Sequence, residues 1–238
     1  MLPRRQRVRV RQGAYDAAVI DRDEGSGGLE LDLADWRRRV AALYAEVRLL
    51  YPSDPLAAWR HWLDGRGSLY REHPSSPVPV AERERFRPLH WDYDPRVAFE
   101  AVLEPDPAAD PASGPLASLS LPNSGPDSLS FRRIGSIAVP LPDGAARLSV
   151  FWTTGYVGGL FIPFRDATNG TTTYGAGRYL IDAAKSADLG GDPRRRTLVC
   201  DFNFSYQPSC AFDPRWACPL APPENRIATP IRAGERLA

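Results

Sequence analysis

The C-terminal half of the chain is interrupted too often by Gly, Pro, Asp and Asn to hold long helices. From Leu129 onward it consists of short runs of β-branched and aromatic residues, such as "ARLSVFW", "GLFIPF", "TTYGAGRYLI" and "RTLVCDFNF". The Asn169-Gly170 pair between two of these runs suits a tight hairpin turn, because such turns need positive φ. Several strands at short spacing predict an α+β, mainly β fold built on an antiparallel β-barrel or sandwich.

Residues 29–73 carry the helical signals of the sequence. In "LADWRRRVAALYAEVRLL" apolar residues recur at every third or fourth position, which is typical of one face of an amphipathic helix. Pro52 ends this pattern, and a second helix is predicted to begin with Asp54 as N-cap and Pro55 at the first helical position. We expect these N-terminal helices to pack outside the sheet or at one end of it.

The length of 238 residues allows one domain with a substantial core. We predict a disordered basic tail over 1–28 and a single domain over 29–238, with a β-rich core at 129–238. The segment 105–128 is rich in Pro, Ser, Ala, Asp and Gly without a period, which predicts a flexible surface insertion. A lid over a site is the alternative for this insertion, and a nucleic-acid or membrane-surface contact is the alternative for the tail.

Composition excludes several classes of function. The formal net charge is +1, so no field of one sign points to nucleic acid or an anionic membrane as a partner. No apolar run approaches the ~20 residues of a membrane span, and no secretory signal opens the chain, so a cytoplasmic protein is expected. Phosphate loops, dinucleotide fingerprints, serine elbows and paired-histidine metal helices are missing from the sequence, and we expect neither a cofactor nor a metal.

Polar residues interrupt two of the predicted strands. In "LVCDFNF" the alternation of side chains places Asp201 and Asn203 on the same face, and in "YGAGRYL" it places Tyr174 and Arg178 together. If Arg178 and Asp201 face the same interior, they form either a polar site in the mouth of a barrel or a structural ion pair.

The proline-rich segment that follows contains two cysteines, Cys210 and Cys218. Their spacing is not that of a zinc ribbon, so the alternatives are a disulfide or buried thiols, a catalytic thiol, or a metal site. A cytoplasmic setting disfavours a stable disulfide, and a catalytic thiol would need a base from a distant histidine: His61, His73 or His90. Further along, Glu224 and Asn225 are either functional groups on a rigid loop or partners of that loop's own backbone.

Three segments together resemble a known family: "HPSSPV", "GLFIPFRDATNGTTTYGAGRYL" and "DFNFSYQPSCAFDPRWACPLAPPENRIATPIRAGE". They are similar to a bacterial and archaeal family catalogued as a domain of unknown function, and the resemblance runs from Trp59 to the C-terminus. It implies no reaction. It does imply positions of interest: Arg165, Asp166, Thr173, Tyr174, Arg178, Asp201, Asn203, Tyr206, Cys210, Cys218, Glu224 and Asn225.

The leading hypothesis is a cofactor-independent enzyme acting on a small organic molecule by acid/base chemistry, through hydrolysis, isomerisation or cyclisation, with bacterial secondary metabolism as one setting. The expected catalytic residues are Asp201, Glu224, Tyr206 and Arg178. The expected substrate-binding residues are Tyr174, Asn203, Asn225 and Trp152. The alternatives are a non-catalytic ligand-binding or scaffold module and a thiol- or metal-dependent enzyme. A carboxylate used in catalysis should have a perturbed pKa in a cleft, whereas a structural one should be saturated with hydrogen bonds.

Overall fold

A computed structural model describes residues 29–107, 119–125, 129–142, 144–155 and 158–237. The predicted basic tail and most of the predicted insertion therefore lie outside the described residues. Among the helices in these ranges, none combines the length and the apolar character needed to cross a membrane.

Two long helices occupy the N-terminal region, as the apolar spacing predicts. Helix α1 spans Leu29–Leu50 and helix α2 spans Pro55–Glu72. The Asp54 carboxylate accepts the Ala57 N–H at 2.9 Å, which satisfies one of the free amides that begin a helix. A single-turn helix, α3, follows at Val80–Arg83.

The strands form three antiparallel sheets. In chain order they are β1 Leu89–His90, β2 Ala98–Val102, β3 Glu104–Pro105, β4 Leu119–Ser120, β5 Ser130–Leu141, β6 Gly144–Thr153, β7 Gly159–Phe164, β8 Arg178–Asp182, β9 Gly191–Asp192, β10 Thr197–Asp201 and β11 Glu235–Arg236. The largest sheet has the order β3-β5-β6-β7-β8, with β4 paired to β5. A three-stranded sheet has the order β2-β10-β9, and β1 pairs with β11.

The two larger sheets pack face to face as a sandwich. Leu148 and Val150 of β6 are buried in the same cluster as Ala101 of β2 and Cys200 of β10. Side chains alternate along a strand, so the neighbouring Phe151 points to the opposite face of the large sheet. The large sheet is therefore buried on both faces, and the sandwich form of the predicted fold is confirmed.

Helices α1 and α2 cover that second face. Val47 of α1 and Trp62 of α2 are fully buried in a cluster that also contains Phe151 and Phe161 of the sheet. The ring of Trp62 also lies 5.3 Å from that of Phe204. The amphipathic faces of the helices thus pack on the outside of the sandwich.

The connection between β7 and β8 differs from the predicted tight turn. It runs over residues 165–177, and Gly170 has φ +79° within it. The Asn169 side chain accepts the Asp166 N–H at 2.6 Å and donates to Thr173 and to the Tyr174 carbonyl. Asn169 stabilises a long loop because its amide group satisfies backbone and hydroxyl groups within that loop.

Two predicted strands are also shorter than expected. Strand β10 ends at Asp201, whose side chain accepts the Asn203 N–H at 2.8 Å and begins a 3₁₀ turn at Phe202–Phe204. Strand β8 begins only at Arg178, so Tyr174 lies in the preceding loop. The pairs Asp201/Asn203 and Tyr174/Arg178 therefore do not share strand faces, because local capping ends one strand and loop backbone precedes the other.

Candidate functional site

Arg178 lies at the centre of a fully buried network. Its guanidinium donates to the Asp166 carboxylate at 2.8 Å, to the Ile231 carbonyl at 2.8 Å, and to the carbonyls of Ala233 and Glu235. Neither Arg178 nor Asp166 has an exposed side chain. Among the described residues Arg178 forms no hydrogen bond or ion pair with Asp201, so the pair considered from the sequence is not formed. Arg178 instead fastens the C-terminal segment to the start of β8.

Asp201 lies in a different buried network. One carboxylate oxygen accepts the N–H and the side-chain amide of Asn203, at 2.8 and 2.7 Å. The other accepts the hydroxyls of Tyr51 and Tyr93, at 3.0 and 3.2 Å. Burial raises the pKa of Asp201, while the hydrogen bonds that it accepts oppose that rise. Asn203 also bonds the backbone of Asp94, which fixes the loop before β2.

Asn225 and Glu224 are adjacent in sequence and differ completely in environment. The buried Asn225 side chain accepts the Ser149 N–H at 2.8 Å and donates to the carbonyls of Ser149 and Pro163, at 2.9 and 2.7 Å. These backbone groups lie beyond the end of the β6–β7 pairing, so the Asn225 amide takes the place of a missing strand partner. Its partners are on the sheet and not on its own loop. Glu224 is exposed.

Tyr206 belongs to a further polar centre, which the sequence did not indicate. Its ring lies 4.5 Å from the guanidinium carbon of Arg66, and Arg66 pairs with the buried Glu235 at 2.9 Å. Glu235 faces His90 across the β1–β11 pair. A charged residue on an amphipathic helix is normally assigned to the solvent face. Apolar periodicity therefore does not predict that Arg66 is buried.

Trp152 is 38% exposed on β6 and belongs to none of these networks. Two surface clefts occur elsewhere in the described structure. One of about 250 Å³ includes Asp35 and His73, and one of about 300 Å³ includes Glu104 and Arg133. Neither cleft contains a residue of the predicted site.

The two cysteines of the proline-rich segment lie together just below the surface. Cys210 is in a 3₁₀ turn at Ser209–Ala211, and its N–H donates to the Cys218 Sγ at 3.4 Å. Both are free thiols here, 8% and 3% exposed. The exposed Ser124 hydroxyl accepts the Cys218 N–H at 2.9 Å and donates to the Trp216 carbonyl at 3.1 Å. Residues 119–125 are thereby joined to the cysteine loop.

The two thiols have opposite pKa shifts. Interactions with the Cys218 thiol and the Tyr174 hydroxyl hold the pKa of Cys210 well below the usual value of a thiol, although burial opposes them. The interaction with Cys210, together with burial, raises the pKa of Cys218. Burial and the contact with Cys210 also raise the pKa of Tyr174, to about 12. The two thiols therefore titrate as a pair, and the first proton leaves the pair more readily than it leaves an isolated thiol.

Two side chains lie near Cys218, the ammonium of Lys185 and the phenol of Tyr179. The Lys185 ammonium lies 3.2 Å from the Asp182 carboxylate and 5.6 Å from the centre of the Tyr179 ring, and its charge favours a thiolate at Cys218. The Tyr179 hydroxyl donates to the carbonyl of Pro219, the residue after Cys218. No histidine contacts either thiol in the described ranges, so the stabilisation of the Cys210 thiolate comes from hydroxyl and thiol donors.

Comparisons with known proteins support the resemblance noted in the sequence. The family model described as "Protein of unknown function (DUF1684)" matches residues 84–236, a range that begins after the Trp59 suggested by the motifs and contains every predicted site residue. The chain is also similar to an uncharacterized protein of Haloarcula marismortui solved by solution NMR. The two are 26% identical with a TM-score of 0.53, and the match covers 88% of this chain and 98% of that one. No curated protein matches. The family model covers more than half of the chain, which therefore belongs to the DUF1684 family.

Proposed function

We propose that this chain is a thiol-dependent enzyme in which the Cys210 thiolate is the nucleophile. The observation that carries the proposal is the direct contact between the two cysteines, in which the Cys210 N–H donates to the Cys218 sulfur at 3.4 Å and Cys210 is the more exposed of the two. A second thiol and the Tyr174 hydroxyl adjoin Cys210, and these are donors that stabilise a thiolate. The thiolate is the reactive form of cysteine, and it is most useful when its pKa is near ambient pH.

The position of Cys210 supports access by a reactant. Cys210 is 8% exposed, and its neighbours Ser124 and Tyr174 both reach solvent. The half-buried Phe212 and Trp216 lie in the same loop and offer apolar surface to a small organic molecule. A reducing, cytoplasmic compartment, which the sequence favours, would keep the pair as thiols.

Cys200 provides the contrast within the same chain. It is fully buried between the two sheets, and burial raises its pKa to about 12. A thiol in such an environment acts as a small apolar side chain and is chemically inert. The proposal therefore assigns reactivity to Cys210 and not to cysteine in general.

The test is the rate of alkylation by iodoacetamide as a function of pH, followed by peptide mapping. Cys210 in the wild-type chain and in Cys200→Ser should react with a pH midpoint at least about one unit below the ~8.5 of free cysteine. Cys210→Ser should remove this reaction. A midpoint at or above that of free cysteine, or equal labelling of Cys200 in the folded protein, would contradict the proposal.

The acid/base mechanism suggested by the sequence is a second candidate. Its support is the raised pKa of Asp201 and the half-buried hydroxyls of Tyr51 and Tyr93, which connect this carboxylate to the surface. Asp201 would exchange a proton with a small organic molecule through one of the tyrosines. Asp201→Asn, compared with Tyr93→Phe in a substrate screen at matched folded fraction, tests it. Equal activity of both variants and the wild type would reject this mechanism.

A further inference from the structure

Resting on the proposed function, we propose that Cys210 and Cys218 are the attacking and resolving thiols of a thiol–disulfide exchange site for low-molecular-weight disulfides. The substrate class follows from the pair. A nucleophilic thiolate with a second thiol in contact can accept a disulfide and then release it without any bound cofactor.

The structure distinguishes the two roles by position. Cys210 is the outer thiol, next to the solvent-reaching Ser124 and Tyr174. Cys218 is more deeply buried, and the Tyr179 hydroxyl donates to the carbonyl of the residue that follows it. A disulfide arriving from solvent therefore meets Cys210 first, and Cys218 is placed to attack whatever becomes attached there.

One molecule of a small disulfide, RSSR, is the oxidant for the two thiols of the protein. The Cys210 thiolate attacks one sulfur of RSSR, forming a Cys210–SR bond, while the S–S bond of the reactant breaks and RS⁻ leaves. Cys218 gives its proton to that thiolate or to solvent and attacks the Cys210 sulfur. The second RS⁻ leaves as the Cys210–Cys218 disulfide forms. The second RS⁻ takes up the equivalent of the proton that Cys210 lost to solvent on ionising, so the two thiols of the protein are oxidised by two electrons and RSSR is reduced to two RSH.

The surrounding backbone holds the two cysteines in place for the second step. The N–H···S contact of 3.4 Å and an N–Cα bond of ~1.46 Å place the Cys218 sulfur within about 5 Å of the Cys210 Cα. The Cys218 sulfur is therefore a close neighbour of the Cys210 side chain that would carry the mixed disulfide. The Ser124 hydroxyl bonds the Trp216 carbonyl and the Cys218 N–H, and prolines restrict the loop, namely Pro208, Pro219 and Pro222.

Lys185 is a positioning residue for the resolving step. Its ammonium group stabilises the Cys218 thiolate electrostatically, while Asp182 anchors it at 3.2 Å. Lys185→Gln should slow the closure of the disulfide from the Cys210 mixed disulfide, by about threefold or more, and leave the first attack on RSSR unchanged. Both steps can be followed separately, because the released RSH appears in two phases. An equal effect on both phases would reject this role.

The decisive experiment uses the reduced full chain and bis(2-hydroxyethyl) disulfide, read by intact mass and peptide mapping. The wild-type chain should lose two hydrogens and contain a Cys210–Cys218 disulfide. Cys218→Ser should instead retain one hydroxyethylthio group on Cys210, and Cys210→Ser should stay unmodified. Cys200→Ser is the matched control and should behave as the wild type, with circular dichroism confirming that each variant is folded.

The outcomes separate this inference from the function on which it rests. If iodoacetamide labels Cys210 of the Cys218→Ser variant at low pH but that variant traps no adduct, disulfides are not the reactant and only this inference fails. If the wild-type chain keeps the mixed disulfide, the resolving role of Cys218 is wrong. If Cys210 reacts with neither reagent, both proposals fail.

Discussion

The Arg178 guanidinium and the Asp166 carboxylate form an ion pair of 2.8 Å in which neither side chain is exposed to solvent. Asp166 lies in the loop after β7, and Arg178 begins β8, so the pair closes that loop across its base. Arg178 also bonds three carbonyls of residues 231–235. A single buried cation thus ties the β7–β8 connection to the C-terminal segment.

Asp166→Asn should destabilise the fold strongly. The substitution preserves shape but leaves the charge of Arg178 buried without its counter-ion, which costs about 3–5 kcal/mol. Glu104→Gln, which removes the exposed partner of Arg147, is the control and should cost less than about 1 kcal/mol. Urea denaturation of both variants measures the free energy of unfolding. Similar values for the two would show that the Arg178–Asp166 pair contributes no more than a surface pair.

Asn225→Ala should destabilise the fold by about 2–3 kcal/mol, because it leaves buried backbone groups of Ser149 and Pro163 without partners. The adjacent exposed residue offers a matched control, and Glu224→Gln should change the free energy of unfolding by less than about 0.5 kcal/mol. Thermal or urea unfolding distinguishes the two. If Asn225→Ala were as stable as Glu224→Gln, the prediction would be wrong, and water would satisfy the backbone groups that the Asn225 amide bonds.

Substitutions at Gly177 and Gly175 provide a second comparison between a constrained and an unconstrained position. Gly177 has φ +108°, and a Cβ there would lie 2.5 Å from the Phe164 carbonyl oxygen. Gly177→Ala should therefore cost more than about 2 kcal/mol, through strain and steric conflict together. The nearest atoms to a Cβ at Gly175 are 3.8 Å away, so Gly175→Ala should cost less than about 1 kcal/mol. Equal melting temperatures would show that the loop adjusts to both.

His90 should make the fold sensitive to acid. Burial lowers its pKa to about 4, with the Arg66 charge adding to this effect and Glu235 opposing it. Between about 4 and the ~6.5 of an unfolded histidine, the unfolded chain binds more protons, so stability falls as pH falls through this window. His90→Gln should remove up to about 3 kcal/mol of that dependence. Unfolding at several pH values checks this, and parallel curves for His90→Gln and the wild type would contradict it.

The sequence alone determined those elements that are encoded by neighbours in the chain. Apolar spacing and the Asp54 cap specify α1 and α2, and short β-rich runs specify the antiparallel strands, because helical and strand periods are local properties. The approximate position of the hairpin was predictable and its form was not. Asn169 serves the loop through side-chain bonds, which a dipeptide turn signal does not contain.

Only the tertiary structure decided which polar residues meet. Arg178 pairs with Asp166, and Asn225 bonds β6 and β7, because the strand order brings together segments that are distant in sequence. The sequence singled out Cys210 and Cys218 but could not show that their environments shift the two thiol pKa values in opposite directions. Such a shift depends on burial and on donors such as Tyr174 from another part of the chain. Local sequence therefore determined the elements of this protein, while long-range packing determined its chemistry.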